Sequence, residues 1–100
     1  MSAPVVYRLD GRKIKSPNDF YAELGRAVNG PDGCFGGNLD ALADCLRGGY
    51  GTPEDRPFEF VWRHSDDSRR SLAGFASGGN PFFDAVVGVF DDSGVTLKLR

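Results

Sequence analysis

Three short runs of strand-forming residues stand far apart in this chain, and what lies between them limits how they can pair. Val5-Val6-Tyr7-Arg8-Leu9, Phe58-Glu59-Phe60-Val61-Trp62 and Val95-Thr96-Leu97-Lys98-Leu99 are rich in β-branched and aromatic residues. The intervening stretches carry helix signals. Ser16-Pro17-Asn18-Asp19 offers a capping hydroxyl, a proline for the first helical position and an acid three residues after the cap. Phe20, Leu24, Ala27 and Val28 then recur at helical spacing until Asn29-Gly30-Pro31-Asp32-Gly33 breaks the pattern. Asn38 caps a second helix of about ten residues on Leu39, Leu42 and Leu46, stopped by Gly48-Gly49. Ser65-Asp66-Asp67 opens a third, with Leu72, Phe75 and Ala76 as its apolar side and Gly78-Gly79 as its end. Asn80-Pro81 repeats the cap-plus-proline signal before Phe82, Phe83, Val86, Val87 and Phe90. Strands separated by helices favour parallel pairing through crossovers. The expected fold is α/β, a three-stranded parallel sheet packed with about four helices, as one domain over residues 1–100.

Composition narrows the function classes. With 40% apolar and 26% charged residues the chain reads as an ordinary soluble globule, and no apolar run approaches the roughly 20 residues of a membrane helix. Two cysteines, and a start without a basic region followed by a long apolar stretch, point to the cytoplasm. The formal net charge of −2 supplies no overall positive field, so nucleic acid is not an expected partner. Along the chain the balance is uneven. Residues 1–28 carry five bases and three acids, residues 29–57 two bases and five acids, and residues 58–100 five bases and six acids. The acids dominate in the middle third.

At about 100° per residue, Leu39, Leu42 and Leu46 share one side of the second helix, and Asp44 points away from it with Asp40 beside it one turn earlier. Like charges four residues apart oppose helix formation, and only Asp40, in the first turn, is favoured by the helix dipole. The ordinary reading is a solvated polar face. A catalytic pair would need a neighbouring cleft and one raised pKa, and the sequence indicates neither. His64 is the only histidine, so a triad or metal cluster is not indicated, and no cofactor is implied. Cys34 has no nearby base and reads as an ordinary thiol, while Cys45 borders the buried side as small core filler. The glycines before Asn38 lack the lysine and spacing of a phosphate loop. Arg8, Arg12, Lys13 and Lys15 read as solvated loop charge, and Trp62 as core.

The stretch Cys34-Phe35-Gly36-Gly37-Asn38-Leu39-Asp40-Ala41-Leu42-Ala43-Asp44-Cys45-Leu46-Arg47-Gly48 resembles the signature of the barstar family of ribonuclease inhibitors. Leu9-Asp10-Gly11 with Ile14 and Phe20, Phe58 to Arg63, and Val95 to Leu99 look like that family's opening, middle and last elements. The resemblance implies a non-enzymatic inhibitor whose acidic helix and preceding loop enter the active site of a basic microbial ribonuclease, barnase-like or otherwise guanyl-preferring; a monomer is the default expectation for the free protein. An aspartate there replaces a substrate phosphate. By motif position that residue is Asp44, with Asp40 as the second acidic contact, Asn38 and Gly36 contributing from the loop, and Phe35 supplying an aromatic. Cys34, Ala43 and Gly48 occupy further contact positions. Cys34 stands where the family pattern has a tyrosine, and Ala43 and Gly49 where it has tryptophans, with Tyr50 next to the latter. No acid matches the one expected from the last helix, where Val89 stands. Missing aromatic anchors point to a different target nuclease. A second reading is an interaction module of the same fold that binds a basic toxin other than a ribonuclease.

Overall fold

A computed structural model describes residues 3–100. Strand β1 (Val5–Asp10) leads through a 3-10 turn at Gly11–Lys13 to helix α1 (Pro17–Asn29) and helix α2 (Leu39–Leu46). Strand β2 (Phe58–Arg63) is followed by helix α3 (Ser65–Ser71), a two-residue hairpin of β3 (Ala76–Ser77) and β4 (Asn80–Pro81), helix α4 (Phe82–Asp92) and strand β5 (Thr96–Leu99). The sheet order is β1-β2-β5, both pairings parallel, as the strand–helix rhythm required. Ser16 caps α1 by accepting from the Asp19 N–H, with Pro17 at the first position.

Strand register sorts the side chains into two unlike faces. Tyr7, Phe60 and Leu97 lie abreast, as do Leu9, Trp62 and Leu99, and this face carries the core. Leu9, Phe60 and Trp62 are fully buried there against Phe20, Leu24, Leu72, Val86 and Phe90 in one continuous cluster. Phe20 stacks on Trp62 at 5.2 Å between ring centroids, and Phe83 lies 4.8 Å from the same indole on its own helix. The opposite face bears exposed Arg8, Arg63 and Lys98, with Glu59 paired to Lys98 at 3.1 Å. A parallel sheet normally has both faces covered. Here the helices cover one, so the strands read as alternating rather than continuously apolar.

Trp62 anchors three segments. Its Nε1 donates to Ser68 Oγ at 2.9 Å, and that hydroxyl donates to the Gly11 carbonyl at 2.8 Å. Gly11 has no room for a side chain, because a Cβ would lie 2.4 Å from the carbonyl oxygens of Arg63 and His64. The turn after β1 therefore packs backbone to backbone on the turn after β2.

Two expected elements are corrected. The third helix stops at Ser71 and does not continue to Gly78, so Phe75 and Ala76 are exposed and Ala76–Ser77 pairs with Asn80–Pro81 instead. Asn80 belongs to that hairpin and does not cap α4, whose start at Phe82 is tied down when the Phe82 N–H donates to the Phe75 carbonyl. Asn80-Pro81 has the residues of a helix cap, and the hairpin uses them as a strand instead.

Candidate functional site

Helix α2 is a short segment held between two glycine-rich loops. Asn38 Oδ1 accepts from the Ala41 N–H at 2.8 Å, satisfying one of the first-turn donors. Leu42, Cys45 and Leu46 are buried, which turns Asp40 and Asp44 outward as the angular count required. Asp44 is 63% exposed and pairs with Arg47 one turn on, at 3.4 Å. That contact offsets the unfavourable place of an acid near a helix C-terminus, and a surface pair of this kind is worth about 0–1 kcal/mol. A partner cation can displace it at little cost. Burial and the neighbouring Asp44 charge push the Cys45 thiol up in pKa, so it stays protonated and inert. Cys34 and Cys45 are both free, the first exposed and the second buried.

The loop before α2 is fixed from below. Gly36, at φ 87°, crosses the helix so closely that a Cβ would lie 3.0 Å from the Leu42 nitrogen. Phe35 is 0% exposed and tilts against Phe60 at 6.1 Å. The motif position predicts a contact residue, but the ring pins the loop to the core and offers a partner no surface. Cys34, Asn38 and Asp40 remain exposed around it, and Gly36, Ala43 and Gly48 are half-buried. A shallow groove runs from Asn38 and Asp40 to Tyr21 and Ser77.

Asn29, the last residue of α1, ties both ends of the site together. Its Nδ2 donates to the Cys34 carbonyl at 2.7 Å, in the loop before α2, and to the Tyr50 carbonyl at 2.9 Å, in the loop after it. Gly51 lies so near that a Cβ there would sit 2.1 Å from Asn29 Oδ1. Tyr50 is thereby held 55% exposed beside the acidic helix. In the sequence Asn29 reads only as the start of a helix-breaking loop, since one of its partners is 21 residues away. Replacing Asn29 with alanine is expected to cost about 1 kcal/mol of stability and to speed hydrogen exchange across residues 34–51. Unchanged exchange there would remove Asn29 from the role of clamp.

A family model described as Barstar (barnase inhibitor) matches residues 5–99. The chain belongs to the barstar family. Comparison with curated protein sequences finds no match. The barstar match runs from β1 to β5 and takes in α1 to α4 and the hairpin between α3 and α4. In this barstar-family chain Val89 is half-buried against the core, so α4 presents no acid at that position.

Proposed function

We propose that this chain inhibits a secreted microbial ribonuclease by placing the outward face of α2 in the enzyme's phosphate-binding site. The observation that carries the reading is the pairing of an apolar inner face with two exposed aspartates, Asp40 and Asp44, on one short helix held at both ends. A ribonuclease holds RNA phosphate with arginine, lysine or histidine, and a rigid carboxylate presented to that site meets donors already arranged for an anion. Asp44 is the central acid and Asp40 the second. Asn38 and Gly36 shape the loop edge, Cys34, Ala43 and Gly48 border the contact, and Tyr50 supplies an aromatic. Phe35 acts from beneath as a support.

The inhibitor works as a monomer in the cytoplasm, against enzyme that would otherwise attack the cell's own RNA. Opposite charge on the two partners also speeds their encounter. The small residues at Cys34, Ala43 and Gly49, where the family pattern has aromatics, direct it to a nuclease other than barnase itself, and our reading places that target among the guanyl-preferring microbial ribonucleases.

Titration into candidate basic ribonucleases tests this reading. Activity is expected to fall to zero at about one equivalent, with an association rate that drops about tenfold or more between low and high salt. A cognate basic partner that is captured but has no ribonuclease activity would favour the reading as an immunity protein against another toxin.

A further inference from the structure

The side of the molecule around the end of β1 carries the opposite charge to α2. A cleft of about 300 Å³ opens at the carboxyl ends of β1 and β2, and five of its lining residues are basic: Arg8, Arg12, Lys13, Arg26 and Arg63. The acids lining it are Asp10 and Glu23, so five bases stand against two acids. No residue of α2 lines it.

Both acids are already engaged. Asp10 pairs with Arg12 at 3.2 Å, which together with the nearby Lys13 holds its carboxyl below the ordinary range. Glu23 is 5% exposed and pairs with Arg26 at 2.8 Å. Burial pushes Glu23 upward, and the Arg26 contacts and the Asp10 N–H outweigh that, leaving it lowered and ionised. The same pair covers the open edge of β1, since Glu23 accepts from the Asp10 N–H at 2.7 Å and Arg26 donates to the Arg8 carbonyl at 3.2 Å. Arg12 and Arg26 are thus fixed in direction by their carboxylates. Among the described residues, Arg8, Lys13 and Arg63 have no ion pair or side-chain hydrogen bond. Arg8 and Arg63 project from the same uncovered sheet face on adjacent strands, two registers apart, where strands run about 4.8 Å from each other.

We infer that this cleft is a binding site for a phosphate group. Guanidinium forks match phosphate oxygens two at a time. The cleft lies at the carboxyl ends of β1 and β2, where the turns after the two strands bring Arg12, Lys13 and Arg63 together. Its volume is at the lower end for small-ligand sites, enough for one or two phosphates and little more. The net charge of −2 does not oppose this, because the field in a cleft follows the charges that line it. The assignment is independent of the inhibitory role of α2.

Sodium pyrophosphate is the probe, followed by backbone amide shifts in the intact protein. Saturable shifts are expected at residues 10–13 and 63–64. The double variant Arg8→Ala/Arg63→Ala should bind pyrophosphate about tenfold more weakly or worse, with an unchanged amide spectrum elsewhere, because both side chains are exposed and unpaired. A short single-stranded RNA tested in parallel separates the sources: tighter binding at the same amides identifies a phosphodiester chain, and equal or weaker binding identifies a free phosphorylated molecule. Either result supports the site. Shifts spread equally over Arg47, Arg69 and Arg70, a double variant that binds like the parent, or a polyglutamate peptide that binds where pyrophosphate does not would each overturn it.

Discussion

Replacing Asp44 with alanine is expected to weaken inhibition of the cognate ribonuclease by about 2 kcal/mol or more, roughly 30-fold or greater in the inhibition constant. The side chain is 63% exposed, and among the described residues its ion pair is the surface contact with Arg47, so the free protein should lose little stability. The loss arises in the complex, where the nuclease cations that met a carboxylate are left dehydrated and unpaired. Asp44→Asn separates charge from shape. It keeps the size and one carbonyl oxygen, and if the carboxylate stands for phosphate it should be nearly as damaging as alanine. Asp40→Ala should follow in the same direction with a smaller effect, because that residue lies a turn nearer the helix start, where its charge also serves the helix dipole. Inhibition constants measured at one ionic strength decide between these outcomes. An Asp44→Ala variant as potent as the parent would remove this residue from the centre of the contact.

The second large effect is on stability. Trp62→Ala is expected to cost about 3–5 kcal/mol, against a total of about 5–15 kcal/mol for a domain of this size. The indole lies between Phe20 and Phe83 and is fully buried, so its removal leaves a cavity beneath two helices at once. It also takes the donor from Ser68 Oγ, whose bond to the Gly11 carbonyl joins α3 to the turn after β1. Trp62→Phe keeps a ring against Phe20 and loses the Nε1 bond, for which about 1–2 kcal/mol is expected. Urea denaturation of the pair separates packing from the hydrogen bond. An alanine variant within 1 kcal/mol of the parent would mean that the core around Phe20 and Phe83 collapses to fill the gap, contrary to its close packing.

What could be read from the sequence is mostly what local chemistry determines. Asn38 caps α2 through a donor three residues away, and the leucines that bury the helix leave Asp40 and Asp44 only one direction to face. The parallel sheet followed from the helical signals between the strands. The contacts that escaped are those whose partners are distant in the chain. Ser68 reads as one polar residue in a polar helix, yet it is buried and bonded to Gly11, 57 residues away. Helix α3 ends at Ser71 and the hairpin of Ala76–Ser77 with Asn80–Pro81 follows, and a two-residue hairpin has no periodicity to reveal it. Phe35 shows the limit of carrying a role over by motif: an aromatic beside a binding loop can face the partner or the core, and only its packing on Phe60 tells which. The charge total behaves likewise. A net of −2 conceals an acidic helix and a basic cleft, because a sum over the chain discards position.

Competition at the nuclease's own phosphate site is the most direct test of phosphate mimicry. With a cognate ribonuclease in hand, the affinity of this protein for it is measured against rising concentrations of a guanosine 3′-monophosphate product, at constant ionic strength. Mimicry predicts mutual exclusion: the apparent affinity falls in proportion to nucleotide occupancy, and the Asp44→Ala variant loses affinity without changing the nucleotide's own binding. Undiminished affinity for a nuclease saturated with nucleotide would place the contact outside the phosphate site and contradict the role given to α2.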